Sequence, residues 1–146
     1  MQKLTKSQYD QWIADLRSGN YKEGTGELHN VEENTFCCLG VLNARFGECP
    51  PHYAYIYKED DDSSFFQLID ESVQRLLASF NDITGGTKVG NVNFNIKYMF
   101  PDWEVDEEAI TKLQNESKDF TGVADFIEYI HEHHYKFYEE VNKTTV

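Results

Sequence analysis

Phe36-Cys37-Cys38-Leu39-Gly40-Val41-Leu42 is the least polar run in the chain, and polar, charged or glycine-bearing segments flank it on both sides. A helix over Cys37 to Phe46 would be apolar nearly all round, so it must be buried on most of its surface rather than along one stripe. Asn34 or Thr35 is placed to cap its start, Gly47 to end it, and Pro50-Pro51 to stop any continuation. The remaining elements are therefore expected to pack around this segment as a spine.

Working outward, Tyr9, Trp12, Ile13 and Leu16 fall at i, i+3, i+4 and i+7, which predicts a helix over Ser7 to Ser18 with Ser7 as N-cap and Gly19 as stop. Asn20 to Asn34 carries Gly24 and Gly26 and is expected to be a short ribbon or irregular loop. Tyr53, Tyr55 and Tyr57 alternate with Ala54 and Ile56 as in a short strand. The acidic run Glu59-Asp60-Asp61-Asp62 repels itself into an exposed loop. A long helix follows, carrying Phe66, Ile69, Val73, Leu76, Leu77 and Phe80, capped by Ser64 with Gln67 or opened one turn later by Asp70. Val92, Phe94 and Ile96 alternate as a strand would, and Tyr98 to Trp103 should pack around Pro101. Asp106 opens a helix to Gln114. A last helix starts near Asp119, buries Phe120, Val123, Ala124, Ile127 and Ile130, and is expected to run past the histidines to Val141, with 142–146 frayed. The sum is a helix-rich α+β fold of about five helices with a few short strands, in a single domain spanning 1–146.

Composition bounds the function. The 146 residues are 40% hydrophobic and 14% aromatic, ample for one core. No run approaches the ~20 apolar residues of a membrane span, so no membrane partner is expected. Three cysteines without an export signal point to reduced thiols in a cytoplasmic compartment. The net charge is -13, from 26 acidic against 13 basic side chains, and such a surface repels phosphate backbones, so direct nucleic-acid binding is not expected.

Three constellations bear chemistry. Cys37 and Cys38 at a helix start could be activated by the helix dipole, with His29 or His52 as the base that a thiol nucleophile requires. Their apolar neighbours favour structural cysteines instead. His131 and His134 share a helix face at i, i+3 but lack the four-residue spacing and adjacent glutamate of catalytic zinc helices, so no metal or other cofactor is expected. Aromatic residues near glycine-rich loops suit a small-molecule pocket, which makes Tyr21, Lys22, Tyr53, Tyr55, Tyr57 and Trp103 the ligand-binding candidates.

The segments Trp12 with Leu16, Arg17-Ser18-Gly19-Asn20-Tyr21-Lys22, Leu28 and Cys37-Cys38-Leu39-Gly40-Val41-Leu42 together resemble a family of small uncharacterised phage and prophage proteins. Members of that family close on Leu-Asn-Asp-x-Gly and then Phe-x-x-Ile-Ala. The matching stretch here reads Leu113-Gln114-Asn115-Glu116-Ser117, then Phe120-Thr121-Gly122-Val123-Ala124-Asp125-Phe126-Ile127-Glu128. The terminal helix agrees, while the Asn-Asp pair and the glycine differ, and the middle from Pro50 to Trp103 diverges. The resemblance implies a phage-encoded accessory factor acting in the host bacterial cytoplasm. With no strong catalytic constellation, the expectation is a non-enzymatic inhibitor of host defence. It would sequester a nucleotide-type signalling molecule or block a host protein, and a homo-oligomer is compatible with either. The alternatives are an acidic DNA mimic that occupies a host DNA-binding protein, and a cysteine-dependent enzyme.

Overall fold

The computed structural model describes residues 4–56, 69–86 and 90–139. Among them the chain forms α1 (Lys6–Arg17), β1 (Lys22–Glu23), β2 (His29–Asn30), β3 (Thr35–Phe36), α2 (Cys38–Phe46), α3 (Glu71–Thr84), α4 (Val92–Met99), α5 (Glu107–Glu116) and α6 (Phe120–His133). This is the helix-rich α+β architecture expected, with one helix more and one very small sheet. β3 is the central strand, parallel to β1 (Lys22 opposite Thr35) and antiparallel to β2 (Asn30 opposite Thr35).

The spine is α2. Cys38, Leu39, Val41 and Leu42 are sealed from solvent, and α1, α3 and β3 pack against this helix. Trp12 ties α1 to it by donating its indole Nε1–H to the Cys38 carbonyl at 2.9 Å. Gly40 is required by contact: a Cβ there would lie 1.6 Å from the Leu28 carbonyl oxygen. The helix start differs from expectation. Cys37 occupies the N-cap position without a side-chain bond, and neither Asn34 nor Thr35 caps it. Asn34 instead turns the chain between β2 and β3 at φ 54°, and Thr35 belongs to β3. The free Cys38 N–H donates to Asn81 Oδ1 of α3 at 3.1 Å, so the cap comes from a distant helix.

Four further boundaries depart from the sequence reading. α1 is capped by Thr5 rather than Ser7, in a reciprocal box with Gln8, and ends before Gly19 at φ 78°. Residues 53–56 bend instead of forming a strand, because Tyr53 N–H closes a turn on Pro50 O while the Tyr53 carbonyl accepts from Leu28; Tyr57, Phe66 and the Ser64/Gln67 pair lie outside the described residues. The later start holds for α3, with Asp70 at its N-cap. Val92 to Ile96 is helical, not a strand: Asn91 accepts from Asn93 N–H and Phe94 N–H, Val92 and Ile96 are buried, and Phe94 is 68% exposed. Three alternating apolar residues fit i, i+4 as well as period two, and the cap decides. Finally, α6 stops at His133 and does not reach Val141. His134 N–H and Tyr135 N–H both donate to Ile130 O, and the Phe137 N–H donates to His131 Nδ1 at 2.9 Å. The turn drops Phe137 into the core against Trp12 and Tyr9.

α6 packs along α1, α3 and α5. Phe80 and Phe126 stack at 4.1 Å in the α3–α6 seam, and Arg17 of α1 donates to both Asp125 and Glu128 of α6. Arg45 of α2 reaches Asp15 of α1 through Nε at 2.7 Å and Nη2 at 3.1 Å. These pairs orient α1 between the spine and α6. No helix among the described residues is long and apolar enough to cross a membrane.

Candidate functional site

The connection from α4 to α5 is the acidic stretch Pro101-Asp102-Trp103-Glu104-Val105-Asp106, and it alternates by burial. Trp103 and Val105 pack against the core, while Asp102, Glu104 and Asp106 stand exposed. Glu107 and Glu108 extend the row, also exposed, into the first turn of α5, where carboxylates are favoured by the helix dipole. Five carboxylates thus decorate seven consecutive residues, hung on two apolar anchors.

This strap borders an open cleft of about 580 Å³ lined by Asp102, Trp103, Glu104, Asp106, Tyr129, His133 and His134. Its floor is a stack of rings. Trp103 lies against Phe100 at 4.0 Å and 11°, and against His134 at 4.7 Å and 6°. Two rings so close and so parallel to the indole cannot share one face without colliding, so both faces of Trp103 are covered. Trp103, a ligand-binding candidate from the sequence, is therefore the centre of an internal stack. His134 is held in that stack with its Nε2 buried and unpartnered. Burial, followed by the neighbouring His133, pushes its pKa below the ordinary histidine value, which keeps the ring neutral. The cleft therefore offers carboxylates and a neutral aromatic floor, and its lining includes neither lysine nor arginine.

The other sequence candidates are dispersed. Tyr21 meets Phe36 edge-on at 5.1 Å, and Lys22 is exposed on β1. Tyr53 contacts His52, and Tyr55 lies under the Arg75 guanidinium at 4.9 Å while its carbonyl accepts from the Cys49 thiol. Tyr57 lies outside the described residues. Trp103 thus enters the cleft with acids and histidines, not with the tyrosines proposed beside it.

Cys37 and Cys38 are buried, and burial pushes the Cys37 thiol up to about 11 and that of Cys38 well above its ordinary value. The Cys38 sulfur faces the Leu77 carbonyl at 3.8 Å. Neither thiol has the stabilised thiolate that a nucleophile needs. His29 is engaged in the small sheet: its Nε2 lies 2.9 Å from Asn34 Oδ1, and its ring stacks on Phe36 at 4.0 Å. His131 and His134 enter different ring clusters, the first with Tyr9 and Tyr138, the second with Trp103. His131 Nδ1 is occupied by the Phe137 N–H. Among the described residues no group of three or more His, Cys, Asp or Glu side chains is placed to hold a metal ion.

Sequence reasoning missed Asp102, Glu104, Asp106, Tyr129 and His133. Their signal was present in the polar–apolar alternation of 102–106, where Trp103 and Val105 pack against the core and the acids between them stay exposed. A family model described as Domain of unknown function (DUF8296) matches residues 4–131. No curated protein and no solved structure matches the chain.

Proposed function

The chain belongs to the DUF8296 family, and from its geometry we propose a non-enzymatic, phage-encoded accessory protein that blocks a host protein through the acidic strap and its cleft. The observation that carries this reading is the row Asp102, Glu104, Asp106, Glu107 and Glu108, exposed beside a cleft whose lining holds neither lysine nor arginine; among the described residues only Glu107 is met by a lysine, Lys97 of α4, at 2.8 Å. Such a surface attracts a lysine- or arginine-rich partner at long range and speeds its encounter. It repels the phosphates of a nucleotide-type signal, so blocking a host protein is favoured over sequestering such a molecule. The buried thiols support a non-enzymatic role, and the resemblance to small phage proteins supports action in the bacterial cytoplasm.

A second reading, the acidic DNA mimic, draws on the spacing of the strap. Asp102 lies in the turn that the Trp103 N–H closes on Phe100 O, and from there Glu104 and Asp106 are exposed at every second residue, a repeating row of carboxylates like the repeating charges of a phosphate backbone. Affinity capture from bacterial lysate with wild-type protein and with an Asp102→Asn/Glu104→Gln double variant tests both. The proposal expects a partner released by raised salt and lost with the double variant. Equal capture by the two proteins would refute it. Competition of that partner by duplex DNA singles out the mimic. Calorimetric heat with cyclic nucleotides or ADP-ribose derivatives would instead favour signal sequestration.

A further inference from the structure

Three sides of α4 are used within the molecule. Asn93 and Lys97 face α5, where they meet the Glu107 carbonyl at 3.1 Å and the Glu107 carboxylate at 2.8 Å. Val92 and Ile96 enter the core, and Asn95 reaches Ser79 of α3 at 2.6 Å. The fourth side carries Phe94 and Tyr98, one turn apart, which stand 68% and 81% exposed. We infer that this aromatic face of α4, with the adjoining acid row, is a docking surface for an arginine-rich segment of another protein. The inference rests on the blocking role proposed for the acid row and names the chemistry of the partner.

A singly exposed apolar residue is ordinary on a protein surface, but two large rings at i and i+4 make one patch, and aromatic side chains are the usual anchors of protein interfaces. The charge around the patch selects the occupant. Asp102 follows Tyr98 by four residues, and the row it begins returns to the side of α4 at Glu107, which meets Lys97. Residues 91–108 hold this one lysine against five carboxylates. A partner must therefore bring positive charge and cover rings at the same time. Arginine does both: its guanidinium is weakly hydrated, stacks on an aromatic face and turns its N–H edge to carboxylates, whereas the lysine ammonium is a strongly hydrated point charge.

The molecule itself contains that arrangement in complete form. The Arg75 guanidinium lies over the Tyr55 ring at 4.9 Å while its Nη2 donates to Glu71 at 2.9 Å. On α4 the rings and the acids are in place, and the partner supplies the guanidinium. A second copy of this chain does not fit that role. Its three arginines are Arg17, Arg45 and Arg75, and each is held by acids of its own chain: Arg17 by Asp125 and Glu128, Arg45 by Asp15, and Arg75 by Glu71. Docking two copies through this face would also set one acid row against the other, on chains of net charge -13 each.

Fluorescence polarisation of the full chain with two labelled peptides of equal length and charge, alternating Arg-Ser and alternating Lys-Ser, tests the assignment. The expected result is saturable binding of both, with the arginine peptide favoured about fivefold, as one exposed cation–π stack gives. Phe94→Ala/Tyr98→Ala should abolish that preference, and Tyr98→Phe, which keeps the ring, should retain it. Both side chains are exposed, so the melting temperature, measured alongside, should not fall. Asp102→Asn/Glu104→Gln should weaken both peptides. Equal affinity for the two peptides, or an arginine preference that survives loss of both rings, would overturn the arginine assignment and leave the blocking role of the acid row standing. Binding of neither peptide would overturn the assignment together with the attraction of basic partners on which that role rests.

Discussion

Replacing Gly40 by alanine tests the central packing claim most directly. Alanine is the better helix former, and in an exposed helix the exchange would stabilise by about 1 kcal/mol. In α2 the added Cβ would lie 1.6 Å from Leu28 O, 2.5 Å from Leu28 C and 3.0 Å from Leu28 Cα. The obstacle is backbone, which no rotamer change relieves. Leu28 is also anchored on both sides, its N–H donating to Tyr53 O at 2.7 Å and its carbonyl accepting from Cys37 N–H at 3.3 Å. Moving it costs about 1–3 kcal/mol of overpacking strain and puts two hydrogen bonds worth about 1 kcal/mol each at risk. After subtracting the helix-propensity gain, the net destabilisation is about 2–4 kcal/mol, a fall in Tm on the order of 10 °C for a chain of this size. Urea and thermal unfolding followed by circular dichroism measure it, with Ala44→Gly on the exposed side of the same helix calibrating the propensity term. A Gly40→Ala protein that melts within about 2 °C of wild type, or above it, would refute the close approach of α2 to Leu28.

Other consequences follow from single groups. Glu23 is half-buried, and burial together with Asp119 and Asp82 raises its pKa to about 7. The Thr84 hydroxyl has one hydrogen for two acceptors, Glu23 Oε2 at 2.7 Å and Asn81 O at 3.0 Å, an arrangement that a protonated Glu23 completes by donating to Thr84. The folded state therefore holds a proton that the unfolded chain has lost between about pH 4.5 and about pH 7, and stability falls as pH rises through that window. Glu23→Gln should flatten this dependence in unfolding titrations, leaving the variant roughly 1–2 kcal/mol more stable at pH 8 after allowance for partial exposure; an unchanged slope would refute the assignment. Gln74 is buried and joins the chain on either side of 57–68, accepting from Ile56 N–H and donating to the carbonyls of Ile56 and Ile69. Gln74→Leu should lose about 3 kcal/mol in urea unfolding, whereas a neutral effect would mean those backbone groups are satisfied elsewhere. Cys37 and Cys38 should resist maleimide at neutral pH until the protein unfolds, so rapid native labelling of either sulfur would return the nucleophile reading to consideration.

Much of the fold was legible because local signals agreed. In α5 and α6 helical periodicity and the expected N-terminal cap coincided, in α1 the periodicity placed the helix although its cap is Thr5 and not Ser7, and in α2 the apolar run announced the burial of Cys38 to Leu42. What misled was short or non-local. Val92, Phe94 and Ile96 are too few to fix a period, and α6 ends where His131 accepts from Phe137, a reversal written in no local pattern. The tyrosines of 53–57 alternate, but the residues described there serve a turn and the Leu28 backbone rather than a ladder.

The sites were legible to different degrees for the same reason. The acids of 102–108 could be seen in the chain, while the value of a buried amide depends on elements far away in sequence. Three such amides illustrate it. Asn81 accepts from Cys38 N–H and donates to the Gly24 carbonyl, and Gln74 likewise uses both ends of its amide. Each is a structural staple, satisfied on both sides, whose loss would be felt in stability. Asn93 is buried in the same way and donates in the same way, yet its oxygen is left over. Asn93 therefore joins α4 to α5 through its two donor bonds alone, to the Glu107 carbonyl and to Thr111 Oγ1, and uses only half of what its amide offers.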